Sequence, residues 1–99
     1  MKELVKNYID LTSAEQILIE CELIKNMLLT KNQAYGDSAF KEGTMFPIDP
    51  ILAIQARIND KINRIKNKGI TSDTEDSLVD LIGYFILLKI ALKKKTPGN

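Results

Sequence analysis

Between Leu81 and Leu92 the chain reads LIGYFILLKIAL, with Lys89 as its sole charge. An acidic lead-in at Glu75 and Asp76 and a basic exit at Lys93–Lys95 suit the two ends of a helix dipole, so the segment predicts a helix. Wound as a helix, it is apolar on almost every side. A chain of 99 residues builds one domain around one core. Two partner helices cannot cover such an element all round. The expectation is an all-α small helical bundle of three main helices, completed by oligomerisation with further copies of the chain. The apolar run is shorter than the ~20 residues that span a bilayer, so no membrane partner is expected.

The other helices are marked at their ends. Thr12 with Glu15, and Ser13 with Gln16, both have capping-box spacing, and either pair can open a helix over 12–33. Its apolar positions Ile17, Cys21, Ile24 and Leu28, widened by Leu18 and Met27, predict a buried stripe. Asp49 followed by Pro50 reads as a cap and a first helical residue, opening a helix over 50–68. Ile51, Ile54, Ile58, Ile62 and Ile65 form its stripe, and Gly69 its left-handed stop. The third helix is expected over 72–95, starting at Ser72 or Asp73, antiparallel to the second because the link is short. Residues 1–11 form an arm in which Leu4, Val5, Tyr8 and Ile9 suggest a short turn packed back on the bundle. Residues 34–49, punctuated by Gly36, Gly43 and Pro47, form a long connection of the kind that often carries function, and 96–99 are a tail.

Composition removes several chemistries. With no His, the chain lacks imidazole zinc sites, Ser–His and Cys–His nucleophiles, and the usual near-neutral proton carrier. A net charge of +1 gives no electrostatic case for nucleic acid as a partner. The single Cys21 cannot form an internal disulfide, and its place on the apolar stripe reads as core. The amino-terminal segment has no signal-peptide pattern, so a cytoplasmic protein is expected.

Three constellations can carry chemistry. In Lys31–Phe40, KNQAYGDSAF, a helix end meets a tight turn: Tyr35 offers a stacking face, Asp37 and Ser38 polar contacts, and Lys31 and Asn32 precede them. The plain alternative is a tyrosine on the core beside an ordinary turn. On the second helix Arg57, Asp60, Lys61 and Arg64 share one side, where Arg grips phosphate as a planar fork and Lys as a point charge. The alternative there is a solvated face with an Asp60–Arg64 pair. On the third helix Asp76 and Asp80 stack one turn apart, with Tyr84 continuing the line. That spacing suits Mg²⁺ when a phosphate supplies its remaining ligands. Alternatively, Asp76 only favours the helix start and Asp80 pairs with a base across the bundle.

The order KNxxYGDS, RxxDKxxRI, EDSLxDLxGYxxLL, spanning Lys31 to Leu88, resembles the phage and bacterial family called nucleotide modification associated domain 1, related to the MazG-like all-α nucleoside triphosphate pyrophosphatases. The resemblance implies a dimeric or tetrameric bundle with a nucleotide held between helices, in which Lys31, Asn32, Tyr35, Asp37, Ser38, Arg57, Lys61, Arg64 and Tyr84 contact the ligand. In the pyrophosphatase relatives carboxylates on two helices bind Mg²⁺; here Asp76 and Asp80 are expected either to hold Mg²⁺, with Glu20 the nearest candidate for a carboxylate from the first helix, or to position the basic groups without any cofactor. The sequence departs from the pyrophosphatase pattern: Glu15, Glu20 and Glu22 include no pair three apart, and Ser77 stands where the second motif has Glu. Holding a nucleotide, whether to sequester a signal used in host defence or to support nucleotide modification, is therefore expected over hydrolysis. An oligomeric protein–protein adaptor is the third reading.

Overall fold

A computed structural model describes residues 7–41 and 48–95. Leu4, Val5, Gly43, Pro47 and the 96–99 tail lie outside the described residues. Three helices carry the fold: α1 (Ser13–Tyr35), α2 (Pro50–Lys68) and α3 (Glu75–Lys95). Short 3-10 turns at Tyr8–Asp10, Ser38–Phe40 and Ser72–Thr74 precede or join them, and no strand occurs among the described residues.

The caps settle the alternatives left open above. Thr12 starts α1: its hydroxyl accepts from the Glu15 backbone N–H at 3.1 Å, and its own N–H donates to the Glu15 carboxylate at 2.9 Å. The helix runs on to Tyr35, beyond the residue 33 expected, because the first backbone break comes at Gly36, with φ +62°. Asp49 caps α2 by accepting from the Ile51 N–H at 3.0 Å, with Pro50 first in the helix. Gly69 (φ +83°) ends that helix, its N–H bonded to the Ile65 carbonyl at 2.7 Å. The third helix is entered later than expected, through the Ser72–Thr74 turn capped by Thr71. The buried Thr74 hydroxyl donates to the Gly69 carbonyl at 2.8 Å and accepts from the Thr71 N–H at 3.0 Å, so one side chain ties the link to both helices.

The α2–α3 pair is antiparallel, and Lys95 at the end of α3 reaches Asp49 at the start of α2, 4.0 Å away. Ile54 and Ile58 of α2 close on Leu81 and Ala91 of α3, with Ile51, Ile65, Tyr84, Leu87 and Leu88 packed around them. The predicted α2 stripe is thus inside except for Ile62, which remains exposed at its edge.

The first helix is different. It meets α3 at Gly83, where an added Cβ would lie 2.9 Å from Met27 Cε and 3.2 Å from Leu28 Cδ2. Only Ile24 of its stripe is buried, with Met27 and Leu28 half-buried. The expected burial of the whole stripe is corrected: Ile17 is 61% and Leu18 70% exposed, and Cys21 is exposed and not core. The cause is geometric: among the described residues α1 meets the other helices chiefly where it crosses α3, and Ile17, Leu18 and Cys21 stay exposed. The Tyr8–Asp10 turn does fold back, but on polar contacts: the Tyr8 hydroxyl donates to Glu20 and Gln16 donates to the Tyr8 carbonyl, while Ile9 stays exposed.

Replacing Thr74 by Val keeps the shape and removes the hydroxyl, leaving the Gly69 carbonyl and Thr71 N–H without that partner. It should cost about 1–2 kcal/mol, read as a lower urea midpoint, with Thr74→Ser retaining most of the stability.

Candidate functional site

Where α1 crosses α3, it leaves a hollow of about 590 Å³ on the side of the crossing that faces α2. Its size falls in the usual range for small-molecule sites. Three separate stretches wall it: the end of α1 and the turn after it, the first half of α2, and the middle of α3. Gly83 forms part of the wall, so the small residue that admits α1 also keeps the space open.

Of the residues singled out from sequence, Lys31, Asn32, Tyr35, Ser38, Arg57, Asp80 and Tyr84 line this one space. Asp80 is its anchor. One carboxylate oxygen lies 3.0 Å from Lys61 Nζ and the other 4.0 Å from Lys31 Nζ. The acid thereby holds a lysine from each neighbouring helix, which answers why a carboxylate sits so close to the apolar run. Arg57 lines the hollow without an ion-pair partner among the described residues. With Lys31 and Lys41 also on the wall, the lining carries three cations against the Asp80 carboxylate. That balance favours an anion.

The aromatic and turn residues have distinct parts. Tyr35, at the last position of α1, is 70% exposed, so its ring is open on the hollow's edge and is not a core residue. Tyr84, on the same wall, is half-buried and packed on the α2–α3 core. The Asn32 amide donates to the Gly36 carbonyl at 3.0 Å and to the Asp37 carboxylate at 3.1 Å. These bonds brace the glycine turn. Asp37 is committed to that brace and does not line the hollow.

Other expected members fall outside. Arg64 lies two turns beyond Arg57, about 10 Å along the helix, and is not on the wall. Lys61 reaches the site only through Asp80. Asp76 is exposed on the first turn of α3 and off the wall, consistent with a role at the helix start. Glu20 lines a different groove and accepts the Tyr8 hydroxyl at 2.8 Å. Among the described residues no three acidic or cysteine side chains gather as a metal group, so Glu20, Asp76 and Asp80 do not share a centre. The donors on the hollow do not suit a resident Mg²⁺ either, because the Asp80 oxygens already face two ammonium groups. Ser77, at the position where Glu was noted as missing, is 2% exposed and serves packing.

Sequence reasoning missed Lys41 and Phe40 as wall residues. Phe40 lies under Lys94, whose Nζ is 4.4 Å from the ring centre, and it packs against the α2–α3 core. The Ser38–Phe40 turn folds Lys41 onto the site, and that fold-back leaves no periodic trace in the sequence.

No family model, no curated protein and no solved structure matches this chain.

The Glu20 carboxylate, by accepting its hydrogen bond, holds the Tyr8 phenol above its ordinary pKa of 10.0, helped by partial loss of water and the negative charges of Glu20 and Glu75. A raised phenol pKa stabilises the fold below the ordinary value and loses that contribution as pH climbs through the raised one. Followed by the NMR shift of its own ring, Tyr8 should ionise above 10.0, and Glu20→Gln should bring it back towards that value.

Proposed function

We propose that this protein binds a nucleotide, with the phosphates on the Arg57–Lys31 side of the hollow and the base against Tyr35. The observation that carries the reading is the convergence of three sequence-distant stretches on one cationic space: Lys31, Tyr35 and Lys41 around the first turn, Arg57 from α2, Asp80 and Tyr84 from α3. Arg57 supplies the planar fork that suits phosphate oxygens, and Lys31 a movable point charge. Lys61 and Asp80 act as positioning residues, with Asp80 holding the Lys31 ammonium beside the space. The resemblance to the nucleotide modification associated domain 1 pattern supports the same ligand class and a phage-type origin. The cationic balance of the wall favours binding without turnover, as sequestration or as a step in nucleotide modification, by a homo-oligomer in the cytoplasm. The Mg²⁺-dependent pyrophosphatase reading rests on Asp80, the one carboxylate on the wall among the described residues, as a ligand for an ion carried in on a polyphosphate.

Calorimetry with nucleoside mono-, di- and triphosphates and cyclic dinucleotides tests this directly. Arg57→Ala and Lys31→Ala should each weaken binding by about 1.5 kcal/mol or more, at least tenfold. Lys68→Ala, off the wall, should leave it unchanged. Flat heats across the panel overturn the reading and leave an adaptor. Pyrophosphate release with Mg²⁺ present would shift it to the hydrolase.

A further inference from the structure

A second hollow, about 460 Å³, runs between α1 and α3 on the other side of their crossing. Its walls are almost wholly apolar, with Cys21, Ile24 and Leu29 from α1 and Ile82, Ile86 and Ile90 from α3. The three isoleucines repeat every four residues, so they form one ridge inclined to the axis of α3. Next to this groove α1 presents Ile17, Leu18 and Leu29, each more than half exposed.

We propose that a second copy of this chain seats its α1 in this groove, in an isologous contact that covers Cys21. The proposal rests on the self-association stated under Proposed function, adds the surface, and is independent of the nucleotide. Three observations commit the groove to this occupant. The first is exposed apolar surface: among the described residues eighteen large hydrophobic side chains are exposed against five buried hydrophobics, and Ile82, Ile86 and Ile90 of the ridge are among the exposed. The second is self-complementarity. The chain carries both an apolar groove and an uncovered apolar helix beside it, and one two-fold contact covers both on both copies. The third is charge. The groove's charged lining is one acid and one base, Glu20 and Lys25, five residues apart on α1. Two α1 helices laid antiparallel set an acid of one copy near a base of the other, and a net charge of +1 adds little repulsion.

The lone thiol reports the contact. The full-length chain is followed by sedimentation velocity and by the rate of Cys21 alkylation with N-ethylmaleimide, across a range of concentration. The expected result is a dimer or larger assembly in which alkylation slows at least tenfold relative to dilute protein. Leu18→Glu, at an exposed position, should return both the sedimentation and the fast alkylation of the monomer while circular dichroism stays helical. Ile86→Glu should do the same from the other wall. A monomer at every concentration overturns the surface and the self-association together. An assembly with Cys21 still fast overturns the surface alone. Slow alkylation in a monomer means that another segment of the same chain fills the groove, and this also overturns the proposal. A flat nucleotide titration has no bearing on any of these readouts.

Discussion

The absent side chain at position 83 decides how this molecule is put together. The α2–α3 hairpin is held by isoleucines from one helix closing on Leu81 and Ala91 of the other. The first helix joins it at Gly83, where an added Cβ would lie 2.9 Å from Met27 Cε and 3.2 Å from Leu28 Cδ2. A helix that touches at one point leaves a wedge of space on each side of that point. One wedge lies against the cationic edge of α2 and becomes the polar hollow, and the other lies against the isoleucine ridge of α3 and becomes the apolar groove. Glycine costs about 1 kcal/mol of helix propensity relative to alanine, and that cost secures the crossing.

Within the polar wedge, Asp80 sets the electrostatics. A carboxylate one residue before the apolar run needs a cation, and it takes one from each neighbouring helix, Lys61 closely and Lys31 at the limit of contact. Both pairs are partly open to solvent, so neither contributes much to stability. Their effect is positional. They orient two long side chains, while Arg57 and Lys41 stand on the wall with no ion-pair partner among the described residues. The same two ammonium groups explain why a carboxylate one turn from Asp76 does not make this pair a ready metal centre.

Much of this was legible from residues alone, because the signals were local. The Thr12–Glu15 box, the Asp49–Pro50 start and the Gly69 stop each act within a few residues of themselves, and each forms as its spacing dictates. The segments around Tyr35, Arg57 and Asp80 line one hollow. Two things were not legible. Periodicity shows that one face of α1 is apolar but not what lies over it, so Cys21, Ile17 and Leu18 read as core although the single chain leaves them uncovered. Sharing a helix face likewise does not fix position along the axis, so Arg64 was grouped with Arg57 although the hollow ends before it.

The two wedges have residues in common. Leu28, Asn32, Phe40 and Leu87 line both, so the partition between them is one side chain thick. Asn32 is also the brace of the Gly36 turn that carries Tyr35 and leads to Lys41. Anything that presses on the groove side of this partition therefore bears on the residue that fixes the turn on the other side. Linkage needs only that such contacts differ between the two states, and it is then reciprocal: an occupant of the groove alters affinity in the hollow by the same factor that a ligand in the hollow alters association. A fold held at one crossing point has little other packing to absorb such a displacement, so the partition at Asn32 and Phe40, rather than the cations themselves, is where assembly and ligand binding would communicate.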